Sequence, residues 1–314
     1  MRARAWRGVA LASRVLLIAG AAWALHRELA DTSASALLGH LRAYGLNHVV
    51  LAVGCTVVSF LLLGVVELLA LRVCRIPRDT VSRTRVLLTA FVANALSQSV
   101  GLAVLTGSAV RHRAYTRFGV GKADVARVST FITLTATVGL LAAGGWALVA
   151  SPAGSGIEHA ALPLRALGVA CLAVVAAYLA WSALGGGEAS GRWRIPRPTL
   201  PTALGQLMLS ASDWVLTGAV LWMFLPASLG IRFWVLMRTY LVAQTAGVTS
   251  HVPGGVGVME VVLIGLLPIG SAEDRAAVVA ALVMFRVVYY LLPLAGAVVA
   301  GGVTEIARRG ARGG

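Results

Sequence analysis

Apolar residues run along this chain in long blocks, and the charged residues collect mostly between them. About 20 apolar residues cross the roughly 30 Å hydrocarbon layer as a helix. Six blocks meet that length as plain crossings: residues 8–25, 49–71, 125–149, 164–184, 203–225 and 276–303. The first has Arg2, Arg4 and Arg7 ahead of it and small residues near "AAWA" at its end, a pattern shared with cleaved signal peptides. It is read as a retained anchor, because the polytopic remainder needs an orienting first helix.

Two further apolar stretches, 86–110 and 233–267, do not fit as crossings once loop charges are placed. Arg2, Arg4, Arg7 and Arg14 hold the N-terminus inside, and Arg72, Arg75, Arg78, Arg83 and Arg85 hold the loop after the second helix inside. Arg111, Arg113, Arg117, Lys122 and Arg127 follow the stretch 86–110, so a full crossing there would put a dense basic run on the wrong side. A re-entrant hairpin that enters and leaves from the cytoplasm removes the conflict. Carried onward, the same bookkeeping makes 233–267 a second hairpin entering from outside and places both termini in the cytoplasm.

Composition agrees with that reading. Of 314 residues, 58% are hydrophobic and 12% charged, with a mean hydropathy of +0.84, which is the profile of an all-α polytopic integral membrane protein. The 27 Lys and Arg against 12 Asp and Glu are accounted for by basic cytoplasmic loops, without a nucleic-acid partner. Cys55, Cys74 and Cys171 show no metal-ligand or redox spacing, and no cofactor or metal is expected. The whole chain, 1–314, reads as one transmembrane domain.

Hairpins entering from opposite faces imply an inverted repeat, with halves at about 49–150 and 203–303. Aligning "RVLLTAFVANALSQSVG" with "RTYLVAQTAGVTSHVPG" matches Arg85 with Arg238, Leu88 with Leu241, Ala90 with Ala243, Ala93 with Ala246, Ser97 with Ser250 and Gly101 with Gly254. The alignment sets two helix breaks side by side. In the second, "SHVPGGVGVMEVV", Ser250, His251, Pro253, Gly254, Gly255 and Gly257 interrupt the helix just before Glu260; Gly107 follows the first. Non-helical backbone at membrane depth survives only where protein or a water-filled cavity satisfies it, so these breaks are either packed glycine kinks or ligand-facing backbone.

Ionisable residues at depth are usually paired, cavity-facing or functional. Glu67 sits near a helix end, within reach of a snorkelling pair with Arg72. Asp213, in "LSASDWVLTG", and Arg286, in "VMFRVVYYLLP", lie mid-helix, and two readings fit them: an Asp213–Arg286 ion pair, or a polar cavity holding both signs. In the cavity reading Arg111, Arg113 and Arg286 suit a lipid phosphate, while Glu67, Asp213 and Glu260 suit an amine. His112 and His251 are the plausible base candidates near the hairpins. No GxSxG, HExxH, DxD or Walker pattern accompanies them.

The segments "ALSQSVGLAVLTGSAVRHRAYTRFGV", "SHVPGGVGVMEVV" and "FRVVYYLLPL" resemble, in order, the signature segments of the membrane region of the bacterial lysylphosphatidylglycerol synthase/flippase family, the multiple peptide resistance factors. The resemblance covers about 86–295. It implies a flippase-type module of the bacterial inner membrane that moves aminoacylated phosphatidylglycerol between leaflets in the context of antimicrobial peptide resistance. The family's transferase domain is not matched by this sequence, so its synthase activity does not carry over. The second break here reads "GVMEVV" where relatives more often have an aromatic residue or Arg before the Glu, which bears on headgroup choice. The other reading is a non-transporting membrane partner of a separately encoded aminoacyl-lipid synthase; the expected partners are the phospholipid substrate and either such a synthase or further copies of this chain in a homo-oligomer.

Overall fold

The computed structural model describes residues 39–42, 44–100, 103–151, 161–184, 198–250, 255, 257–269 and 271–300. The expected first crossing at 8–25, both termini, and Gly101, His251, Pro253 and Gly254 lie outside them. Within the described residues the chain is a polytopic all-α membrane protein. In order, its helices are α1 (Leu46–Val73), α2 (Arg83–Val100), α3 (Ala103–Arg117), α4 (Lys122–Ala150), α5 (Ala161–Ala183), α6 (Leu200–Phe224), α7 (Phe233–Thr249), α8 (Val258–Leu266) and α9 (Ala272–Phe285). A π-helical turn, Arg286–Leu291, carries α9 onward to residue 300.

Five of these elements are long and apolar enough to cross a bilayer: α1, α4, α5, α6 and the α9 continuation. They occupy the five later blocks of the sequence pattern. The remaining helices form two helix–break–helix units, and their lengths explain why. The second limb of the first unit, α3, has 15 residues, about 22 Å, and that of the second, α8, has 9 residues, about 14 Å. Neither limb spans the hydrocarbon layer. In both units the limbs pack on each other, α2 on α3 and α7 on α8.

The pre-hairpin helices α1 and α6 pack along one another, and α4 lies against α5 and α6. The larger core runs through α6, α7 and α9, with Phe224, Met237, Tyr240, Phe285 and Tyr289 buried together. A smaller core of Leu71, Cys74, Val86, Tyr115, Val128 and Phe131 closes the arginine-rich end of the first hairpin. Small residues set the closest approach: a β-carbon on Gly145 of α4 would lie 3.0 Å from the Gly168 carbonyl oxygen of α5. Hydroxyls inside the helices donate mainly to their own backbone four residues back, as Thr56 does to Ala52 and Thr239 to Val235, so they add no unpaired donor to an apolar setting.

Candidate functional site

Among the described residues, two buried ion pairs, one per hairpin, organise the polar interior. In the first, Gly107 on α3 faces Ser97 on α2 so closely that a β-carbon on it would come within 2.6 Å of Ser97 Oγ and 2.8 Å of Arg111 Nη1. That absence of bulk leaves room for Arg111, one turn further along α3, to reach α1. Its Nε donates to both oxygens of Glu67 at 2.9 Å, and Tyr115, four residues on and on the same face of α3, donates to Glu67 Oε1 at 2.8 Å. Glu67 is 0% exposed and Arg111 5%. The snorkelling pair of Glu67 with Arg72 is therefore corrected: the carboxylate is too deep, and its cation comes from the hairpin. Arg113 stays exposed and is not brought to this pair. Among the described residues, three atoms on the hairpin are buried without a hydrogen-bond partner: Arg111 Nη2, Gln98 Oε1 and Ser99 Oγ.

In the second hairpin α7 ends at Thr249, with Ser250 exposed after it, and the chain restarts as α8 at Val258. Gly255 and Gly257 have φ of +60° and +83°, left-handed values that suit glycine because a side chain would be strained there. Gly247 and Gly255 bring the limbs together, a β-carbon on Gly247 meeting the Gly255 Cα at 3.3 Å. Glu260 follows the break for a reason of local chemistry. Its Oε2 accepts from the Gly257 N–H at 2.8 Å, satisfying a donor that the restarted helix leaves open. Its Oε1 accepts from Arg286 Nε at 2.5 Å and also meets Nη2 of the same guanidinium. Arg286 is the first residue of the π-turn, a distortion frequent at functional sites, and it lies 5.7 Å from the centroid of the Tyr290 ring.

Asp213 on α6 belongs to neither pair. It accepts from Ser59 Oγ of α1 at 2.5 Å, Ser59 lies 3.0 Å from the Tyr289 hydroxyl, and Thr217 Oγ1 lies 2.8 Å from that same hydroxyl. Each hydroxyl has one proton, so donation runs Tyr289 to Ser59 to Asp213 and converges on the carboxylate, while Thr217 divides its proton between the Tyr289 hydroxyl and the Asp213 backbone carbonyl, each at 2.8 Å. The Asp213–Arg286 ion pair is thus corrected. Arg286 is held by Glu260, and among the described residues no salt bridge is formed by Asp213. The π-turn nevertheless joins the two sites, since it carries both Arg286 and Tyr289.

Tyr115, Ser59, Thr217 and Tyr289 escaped the sequence reading. Tyr115 was findable, standing one turn after Arg111 on the same helix face, and so was Tyr289 as part of the tyrosine pair beside Arg286. Ser59 was not, because nothing local distinguishes it. Gln206, 0% exposed, is another such residue: it donates to Thr135 of α4 at 2.6 Å and accepts from Tyr178 of α5 at 2.5 Å, tying three crossings together.

No protein-family model matches the chain. It is 32% identical to the uncharacterized protein slr0712 of Synechocystis over 71% of this chain and 70% of that one. It is 29% identical to the inner membrane protein YbhN of Escherichia coli over 81% and 79%. A shorter stretch, 28% of this chain and 10% of the other, is 30% identical to a phosphatidylglycerol lysyltransferase of Staphylococcus haemolyticus. On the extent and identity of the first match, joined to five bilayer-length helices and two broken ones, the chain belongs to the family of membrane proteins that includes slr0712.

Proposed function

We propose that this protein moves a phospholipid between leaflets, with aminoacylated phosphatidylglycerol such as the lysyl form as the preferred substrate class. The observation that carries the reading is the pair of interrupted helices packed inside the bundle, one of which retains buried polar atoms without partners on Gln98, Ser99 and Arg111. Interrupted helices gather exposed backbone and side-chain polarity at membrane depth, where a polar headgroup needs it, and broken helices mark the binding sites of many transporters. The short match to a phosphatidylglycerol lysyltransferase supports a lipid of that class.

The ion pairs refine the roles. Glu67 and Glu260 are already neutralised by Arg111 and Arg286, so Asp213 is the carboxylate best placed to receive an ammonium group. Arg111 keeps Nη2 for a phosphate oxygen. The test is transfer of fluorescent lysyl-phosphatidylglycerol and phosphatidylglycerol in vesicles reconstituted with the full chain. We expect faster transfer of the lysyl lipid and loss of that preference in Asp213→Asn. Equal rates overturn the substrate assignment. No transfer above protein-free vesicles overturns transport and leaves the synthase-partner reading.

A further inference from the structure

The geometry points to a phospholipid phosphate site in the groove between α3 and α4, separate from the two ion pairs. This assignment rests on the lipid-handling reading above and names a second position for a lipid phosphate, distinct from the one at Arg111.

The groove encloses about 540 Å³, within the size range of small-molecule sites. Its polar lining comes from one face of each helix: Ser108 and His112, one turn apart on α3, and Lys122, Ser129, Thr130 and Thr133 along α4. The rest of the lining is Val and Ala. Lys122 opens α4, so the ammonium group and the positive end of the helix dipole fall at the same mouth. Asp124, the acidic residue of that end, is engaged by Arg127 at 3.2 Å, and among the described residues Lys122 forms no salt bridge.

The hydroxyls divide into two kinds. Thr130 and Thr133 donate to the carbonyls of Ala126 and Ser129 on their own helix, which leaves them as acceptors only. Ser129 is 8% exposed, lines the groove, and among the described residues its Oγ has no hydrogen-bond partner. A buried donor left open is costly unless something fills its place. Lys122 and Ser129 are seven residues apart, two turns or about 10 Å along one helix face. An anionic oxygen at the mouth and a second oxygen of the glycerol–phosphate backbone deeper in span that distance, while the Val and Ala wall takes an acyl chain. This combination fits a phospholipid better than a free anion, which has no use for the aliphatic wall.

The experiment is phosphatidylglycerol binding to the delipidated full chain in detergent, read by native mass spectrometry, for the wild type, Lys122→Gln, Ser129→Ala and a control at the exposed Arg165 of α5, Arg165→Gln. We expect each groove variant to bind about tenfold more weakly, in line with the loss of one hydrogen bond to a charged group, with the control unchanged and the thermal unfolding of all variants alike. Millimolar inorganic phosphate is expected not to displace the lipid; displacement would assign the groove to free phosphate and overturn the lipid assignment. Unchanged affinity in both groove variants overturns the site. A chain that binds phosphatidylglycerol through the groove yet moves no lipid keeps the site and sinks the transport reading instead.

Discussion

The two hairpins solve one problem with opposite charge order. In the first, the cation rides on the hairpin and the carboxylate on a full crossing, Arg111 to Glu67. In the second, the carboxylate rides on the hairpin and the cation on the crossing, Glu260 to Arg286. Local backbone accounts for the reversal. The second hairpin restarts at Gly257, whose open N–H attracts a carboxylate, and Glu260 supplies it. The first has no acidic residue in the opening turn of α3, so its limb is free to carry the cation. Burial differs too: the side chains of the first pair are 6% and 0% exposed, against 15% and 5% in the second. The first pair is therefore the more structural of the two, and the second is tied to a distorted helix turn that also reaches Asp213 through Tyr289.

The largest effect that tests this contrast is Glu67→Ala, which leaves the buried Arg111 without its carboxylate. We expect a loss of about 3–5 kcal/mol, seen as collapse of the monodisperse peak after mild heating in detergent, with Leu at both positions recovering much of it. A milder effect at Glu67 than at Glu260 would reverse the ranking of the pairs. Next in size is the separation of two roles in Glu260. Glu260→Ala loses cap and ion pair together, whereas the amide of Glu260→Gln still accepts from Gly257, and we expect about 1 kcal/mol between them. Hydrogen exchange at the start of α8 checks it: the Gly257 amide should quicken in Glu260→Ala and hold in Glu67→Ala.

The smallest effect concerns Cys74, just past the end of α1 in the core beside the first pair. Burial pushes its thiol up to about 11, so little thiolate exists at neutral pH and alkylation should be slow, rising about tenfold per pH unit until that value is approached. With Cys55 and Cys171 replaced by Ala, Glu67→Ala should speed this labelling severalfold by loosening the core, and Glu260→Ala should not. Equal acceleration by both would show that the hairpins are mechanically coupled.

Local chemistry made much of the architecture legible in the sequence. Apolar blocks of bilayer length set five crossings, and Gly, Ser and Pro marked the two interruptions, because a helix cannot continue through them without loss. Glu260 was readable as part of its break, three residues from the N–H it caps. The partners were not readable. Glu67 meets Arg111 across 44 residues, Glu260 meets Arg286 across 26, and Ser59 meets Asp213 across 154. Within a bilayer every buried charge wants a counter-charge, and several candidates satisfy that demand equally well until helices are placed side by side. Which residues carry charge or polarity at depth, and where helices stop, could be read along the chain, since both follow from hydration cost and backbone chemistry. Only the tertiary packing decided which carboxylate each arginine neutralises, and left Asp213 to a line of hydroxyls from three helices, because that choice depends on distances of a few ångströms between distant segments.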